Sequence, residues 1–286
     1  MTVAKSIKKV RKIIQQQKRK GKTIGFVPTM GALHNGHLCL IKAARNQADF
    51  VVVSIFVNPL QFAPDEDLRR YPRNFKKDES TLKKAKTSLV FYPDDKTMYP
   101  KRFSTYVEET RLSRLLCGQS RPVHFKGVAT IVNKLFNIVE PDTAFFGQKD
   151  YQQAKIIGKM VHDLNMPVKI KILPIIRETD GLAMSSRNLY LNPAERKDAL
   201  ILYQSIKLAK ELVKNGKTNT ELIKSRIRGL VNSKNTAKID YIQITDTETL
   251  ESLNKIEDKA FLGLAVYIGK TRLIDNAILR SKDNSK

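Results

Sequence analysis

Apolar runs long enough to cross a bilayer are missing from this 286-residue sequence. None approaches the ~20 residues that such a helix needs, which excludes a helical membrane span. Cysteine is scarce. The two present, Cys39 in a helical pattern and Cys117 in a loop, make no disulfide framework, so a reduced, cytoplasmic setting is expected. Histidine occurs four times, and no Cys/His group has zinc-ligand spacing. The G-x-x-x-x-G-K-[ST] loop is absent, which excludes a Walker-type nucleotide binder. No Ser/His/Asp order stands out, and there is no internal repeat or low-complexity stretch.

Acidic residues are lacking over positions 1–48, whereas Lys5, Lys8, Lys9, Arg11, Lys12, Lys18, Arg19, Lys20 and Lys22 crowd the start. Such a segment is similar to a transit peptide or a membrane-surface helix. Against that stand Val3, Ile7, Val10, Ile13 and Ile14, a narrow apolar stripe, and a strand beginning at Thr23 with no linker before it. The segment reads as the first helix of the fold.

What is present describes a soluble globular chain: 41% hydrophobic and 28% charged residues. The net charge is +24; residues 1–182 hold 33 basic and 16 acidic side chains, an excess of 17, and residues 183–286 an excess of 7. Such a field attracts anionic ligands and is also what a nucleic-acid binder shows. Most of these cations are isolated lysines on helical faces, which favours lysine as the default surface residue. No nucleic-acid or membrane partner is expected.

The stretch from Thr23 to His37 organises the rest. An apolar strand, Ile24 to Val27, ends at Pro28, which cannot donate to a central ladder. A glycine-bearing turn follows, and His34-Asn35-Gly36-His37 opens a helix that runs to about Ala48. Strand, small-residue turn and helix start present unpaired N–H groups and a positive dipole end to phosphate. His34 and His37, three apart, share a helical face, and Gly36 removes a Cβ where a nucleotide would approach.

Downstream, strands and helices alternate: strand 50–57, helix 75–86, strand 88–93, helix 125–139, strand 143–146, helix 151–164 and strand 168–173. The alternation predicts an α/β, Rossmann-like doubly wound parallel sheet. Ligands then bind beyond the carboxyl ends of strands, and polar clusters do follow them: Thr29–His37, Asn58–Gln61, Gly147–Gln153 and Arg177–Arg187. Past Asn188, one long helix (194–214), a second (220–231) and alternating runs at 238–245, 260–268 and 271–278 predict a smaller C-terminal α+β domain, with a hairpin at Gly269-Lys270. The expected division is 1–182 and 183–286.

Lys149 can place a cation on phosphate, Asp150 can cap a helix or meet a ribose hydroxyl, and Gln153 can bond a hydroxyl or carboxylate. Met184-Ser185-Ser186-Arg187, following Gly181, can wrap an anion or serve as a polar linker. Asn58 and Gln61 can point into a cleft.

The segments Met30–His37, Asn58–Phe62, Tyr71–Arg73, Arg121–Gly127, Lys134–Val139, Gly147–Gln153 and Arg177–Asn188, in that order and spacing, closely resemble the pantoate–β-alanine ligase family of the nucleotidylyltransferase superfamily. The His-Xaa-Gly-His and Met-Ser-Ser-Arg segments also resemble class I aminoacyl-tRNA synthetase signatures. The resemblance implies ATP-dependent condensation of pantoate with β-alanine through a pantoyl adenylate, releasing pyrophosphate and AMP. It implies catalytic roles for His37 (the proton donor), His34, Lys149 and Arg187. It implies ATP contacts from Met30, Gly31, Ala32, Leu33, His34, Asn35, Gly36, His37, Gly147, Gln148, Lys149, Asp150, Ile176, Met184, Ser185, Ser186 and Arg187, and contacts to pantoate and β-alanine from Gln61 and Gln153. Arg121 and His124 match a segment near the pocket mouth. Mg2+ would be held largely by phosphate oxygens, with Asp78 a candidate for help and no dedicated metal site. A homodimer is implied. Two positions depart from the family pattern: Gln148, where Glu is usual, and Val123, where Gly is usual. The second puts the conformation of residues 121–124 in question, because a β-branched residue resists positive φ.

Overall fold

The computed structural model describes residues 1–64 and 66–281. The chain divides into two compact units, the first made of residues 1–113, 121–148 and 153–174, the second of residues 114–120, 149–152 and 175 onward.

In chain order the elements are β1 (Thr2–Ala4), α1 (Ile7–Arg19), β2 (Ile24–Thr29), α2 (Asn35–Gln47), β3 (Phe50–Ile55), α3 (Phe75–Lys84), β4 (Leu89–Phe91), the one-turn α4 (Asp95–Met98) and α5 (Cys117–Ser120), α6 (His124–Val139), β5 (Thr143–Gly147), α7 (Tyr151–Asp163) and β6 (Lys169–Leu173). The six strands form one sheet in the order β1-β4-β3-β2-β5-β6, every pairing parallel. Alternate strand residues feed two cores. Phe26, Val52, Leu89, Phe91, Ala144 and Phe146 pack with α1, α6 and α7, whereas Val27, Val51, Val53, Val90 and Phe145 pack with α2 and α3. Burial on both faces is why these strands read as continuous apolar runs. The expected doubly wound parallel sheet is present.

Two local readings are corrected. β1 replaces what was read as the beginning of the first helix: Thr2, Val3 and Ala4 pair with Leu89, Val90 and Phe91. And β2 continues through Pro28 to Thr29, opposite Ser54 and Ile55. Its pairing with β5 covers only Gly25 and Phe26, so Pro28 stands where β2 has a neighbour on one side only, where a missing N–H is tolerated.

The second unit contains α8 (Pro193–Asp198), α9 (Ile201–Lys214), α10 (Thr220–Asn232) and the antiparallel strands β7 (Ala237–Thr245), β8 (Lys259–Ile268) and β9 (Thr271–Arg280), in the order β7-β8-β9. The α+β reading and the 269–270 hairpin hold. The expected continuous helix 194–214 is instead broken after Asp198, whose carboxylate accepts from Thr236 Oγ1 at 2.7 Å. One face of this sheet, through Leu262, Leu264, Val266, Leu273, Ala277 and Leu279, makes a core with α9 and α10.

Candidate active site

In the first unit, chain order and strand order place the site. From β2 the chain moves outward to β3 and β4, then returns to the other side of β2 for β5 and β6. Strand order therefore reverses at β2, the place where such sheets bind ligands beyond their carboxyl ends. The segments following β3 and β2 carry Gln61 and the His34/His37 pair, and β5 ends at Gly147.

The turn after β2 is built tightly. Gly31 (φ 82°) and Ala32 (φ 50°) are both left-handed, a costly conformation for alanine. A buried carboxylate holds it: Ala32 N and Leu33 N donate to Asp78 Oδ2 and Oδ1, each at 2.9 Å. Asp78 is 3% exposed. Both its oxygens thus accept from the turn, which makes Asp78 a brace for it.

At the start of α2 the two imidazoles form a reciprocal cap. Gly36 N donates to His34 Nδ1 at 3.1 Å, and His34 N donates to His37 Nδ1 at 3.3 Å. Because each Nδ1 accepts a backbone hydrogen, each neutral ring carries its own hydrogen on Nε2 and offers it as a donor. The ring centroids lie 4.1 Å apart. A Cβ on Gly36 would come within 2.8 Å of the His34 ring, so glycine here makes room for the imidazole cap. Ala32 and Leu33 spend their N–H groups on Asp78 of α3, and Gly36 spends its own on the His34 ring, which the sequence did not show.

After β3, a 3-10 turn (Pro59–Gln61) capped by Asn58 holds Gln61. Asn58 is 1% exposed and Gln61 8%. Asn58 Oδ1 accepts from Tyr99 Oη (2.7 Å) and Leu60 N (3.3 Å), while its Nδ2 donates to Gly127 O (3.0 Å) and Gln61 Oε1 (3.2 Å). Gln61 Nε2 then lies 3.0 Å from Met30 Sδ. Burial pushes the Tyr99 hydroxyl up from its ordinary range, which keeps it a donor. The turn rests on α6 at Gly127, where a Cβ would sit 2.2 Å from Leu60 O. Arg121 braces its far side, with Nη2 to Gln61 O at 3.2 Å and a two-point pair to Glu66. His124 Nδ1 adds a second bond to Gln61 O at 2.8 Å. Val123 takes φ −89°, so the segment needs no positive φ and tolerates its departure from the family's glycine. Gln153, on α7, is half-buried.

In the second unit, Lys149 and Asp150 end a 3-10 turn (Gln148–Asp150), with Lys149 Nζ 3.4 Å from Asp150 Oδ1. Tyr151 stacks on Phe261 and donates to Thr247 O at 3.0 Å; burial pushes its hydroxyl up to about 12. Met184 N donates to Ile176 O at 3.0 Å. Ser185 caps the turn Ser186–Tyr190 by accepting from Arg187 N at 3.2 Å, and Ser186 is buried. Sequence reading missed Tyr99, Asp275 and Asn276, and gave Gln152 and Arg177 no role beyond a place in polar segments. Gln152 ties the 115–117 segment by accepting from Cys117 N and donating to Leu115 O.

Among the described residues no group of three or more His, Cys, Asp or Glu side chains could hold a metal ion, and no helix is long and apolar enough to cross a membrane.

A family model described as pantoate-beta-alanine ligase matches residues 2–278. The pantothenate synthetase of Thermotoga petrophila is 53% identical over 98% of this chain and 100% of its own. That of Caldicellulosiruptor bescii is 48% identical over 99% and 100%. Among solved structures, the pantothenate synthetase of Thermus thermophilus has a TM-score of 0.92 at 41% identity, covering 97% of this chain and 99% of that one. The pantoate-beta-alanine ligase of Francisella tularensis, complexed with beta-gamma ATP and beta-alanine, has a TM-score of 0.81 at 37% identity, covering 97% of each.

Proposed function

The chain belongs to the pantoate–β-alanine ligase family, and on that footing we propose that it joins pantoate to β-alanine through a pantoyl adenylate. A pantoate carboxylate oxygen attacks the α-phosphorus of ATP, and the bond to the bridging oxygen breaks to release pyrophosphate. The β-alanine amine, having lost a proton, then attacks the acyl carbon, and the acyl–oxygen bond breaks to release AMP. The first step asks for alignment and charge neutralisation more than covalent chemistry.

The observation that carries the reading is the imidazole pair at the strand-order reversal, each ring turned so that Nε2–H is a donor. Such donors suit phosphate oxygens, and His37 is our proton donor. His34, Lys149, Ser185, Ser186 and Arg187 are assigned to the triphosphate. Met30, Gly31, Ala32, Leu33, Asn35, Gly36, Gly147, Gln148, Asp150, Ile176 and Met184 are assigned to the rest of the nucleotide. Gln61 and Gln153 are assigned to pantoate, and Gln61 also to β-alanine. Mg2+ would be held largely by phosphate oxygens; bound there, it would neutralise phosphate charge. We keep 1–182 as the nucleotide- and pantoate-binding part and 183–286 as a lid. A homodimer is proposed on the resemblance, and the exposed Leu164 and Ile172 at and before β6 offer apolar surface for it. The two free thiols support a cytoplasmic setting.

Pantoate-dependent exchange of labelled pyrophosphate into ATP, with β-alanine withheld, tests the proposal, together with mass detection of the adenylate. His37→Ala and Lys149→Ala should each cut exchange by about 100-fold or more with the fold intact. Exchange that required a phosphate-bearing acceptor instead would select a nucleotidylyltransferase. Salt-sensitive nucleic-acid binding that survived His37→Ala, with no ligase activity in the wild type, would select a nucleic-acid binder.

A further inference from the structure

β9 alternates strictly on its helix-facing side: Leu273, Ala277 and Leu279 join the core of the second unit. Asp275 stands in that same register, where the period of two demands an apolar residue. It is 2% exposed. A carboxylate so placed is expensive unless paired, and its partner is Arg177, with Nη1 to Oδ2 at 2.6 Å and Nη2 to Oδ1 at 2.9 Å. Burial pushes the Asp275 carboxyl up from the ordinary range, against the pull of Arg177, the Asn276 amide and Lys149.

Arg177 does more than neutralise Asp275. Its Nη1 also donates to Gly181 O at 3.0 Å, and its guanidinium lies 4.6 Å over the Tyr203 ring. Arg177 pairs with Ala183 as a single antiparallel bridge. With the Met184 N to Ile176 O bond, this fixes the loop that delivers Met184-Ser185-Ser186-Arg187. The neighbouring residue, Asn276, is 4% exposed; its side chain belongs to the opposite face of the strand, and its Nδ2 donates to Lys149 O at 2.9 Å. Asn276 N donates to Asp275 Oδ1 at 2.8 Å, which joins the two side chains' work. One dipeptide of β9 therefore fastens the loop leading to Ser185–Arg187 from one face and the backbone of Lys149 from the other.

A buried ion pair is a weak means of stabilising a fold, since well-packed apolar residues serve as well or better. What it supplies is direction and register. We propose that Asp275 and Asn276 are positioning residues for ATP activation, setting the spacing between the Lys149 ammonium and the Ser185–Arg187 segment without touching substrate. The inference rests on the functional reading above.

The test uses the full chain. Asn276→Ala removes the side-chain bond to Lys149 O, and Asp275→Asn removes the charge at constant shape. Two half-reactions are read separately: pantoate-dependent pyrophosphate exchange, and aminolysis by β-alanine of supplied pantoyl adenylate. For Asn276→Ala, exchange kcat/KM for ATP should fall about 10- to 100-fold, the order that a small misplacement of a catalytic group costs. Aminolysis should stay within about twofold, since it needs no triphosphate. Asp275→Asn should show the same split; if it fails to fold, Asn276→Ala decides alone. Unchanged exchange in a folded Asn276→Ala, or equal loss in both half-reactions, overturns the inference while leaving the functional reading intact. Absence of exchange in the wild type overturns that reading and the inference with it.

Discussion

The Gln61 amide has a direction that its neighbours dictate. Gly127 O can only accept, so it takes Asn58 Nδ2; Leu60 N–H and the Tyr99 hydroxyl donate, so they take Asn58 Oδ1. Asn58 Nδ2 then fixes Gln61 Oε1 as acceptor, so Nε2, one hydrogen of which meets Met30 Sδ, carries the N–H donors that the oxygens of a small hydroxy acid need. Tyr99→Phe deletes one bond of this relay, while the ring keeps its neighbours Phe56 and Phe103. It should lower stability by about 1 kcal/mol and raise KM for pantoate about fivefold, roughly the same energy, with KM for ATP unchanged. Gln153→Ala should likewise weaken pantoate more than ATP; steady-state kinetics that moved only the ATP constant would misplace the acid pocket. Gln61, His34 and His37 were legible as candidates because motif and strand end coincide within a few residues. Tyr99 was not, since its partner lies 41 positions away. Asp275 did leave a mark in the sequence, an acid inside an apolar alternation, and only the period-two register reveals it.

Among elements, the turn after β2 depends on a helix that carries none of the proposed catalytic residues. Asp78, in the first turn of α3, satisfies two amides of a turn that contains a left-handed alanine. Asp78→Ala would leave both amides without their acceptor, at about 1–3 kcal/mol each before relaxation. The expected result is a loss of about 2–4 kcal/mol in urea unfolding, with no change in the Mg2+ dependence of any residual exchange. A metal-binding role predicts the reverse, normal stability with altered Mg2+ dependence. Gly127→Ala should similarly displace the Gln61 turn, since the added methyl meets backbone rather than a side chain. Helices and strands of the sheet were readable from period and length, because burial on both faces leaves continuous β-branched runs. The three residues of β1 were not, since their strand character comes from pairing with β4. Nor was the break after Asp198, where no glycine or proline marks it and the hydrogen bond from Thr236 is tertiary.

For the whole molecule, alternation announced a parallel sheet but not its order. The placement of β5 beside β2 rather than beyond β4 decides which strand ends become neighbours. Net charge was equally plain in the sequence, at +24, and its meaning was not. Two accounts compete. In one, the excess of cations draws ATP and pantoate from solution; in the other, it is solvated surface. The Debye length is about 10 Å at 0.1 M salt and shrinks further above that. Scattered lysines farther from a ligand than this contribute little, whereas a cation in direct contact with phosphate keeps most of its attraction. Much of the charge is of the scattered kind: Lys8, Lys9, Arg11 and Lys12 on α1, and Lys76, Lys77, Lys83 and Lys84 on α3, are in large part exposed on helix surfaces. KM for ATP should therefore rise less than about threefold between roughly 0.1 and 0.5 M salt, with kcat constant. Lys149→Gln should raise it far more at either salt concentration. A rise of about tenfold or more in the wild type would mean that the surface field feeds the site. Neutralising the α1 lysines in groups would then be expected to slow ATP association stepwise.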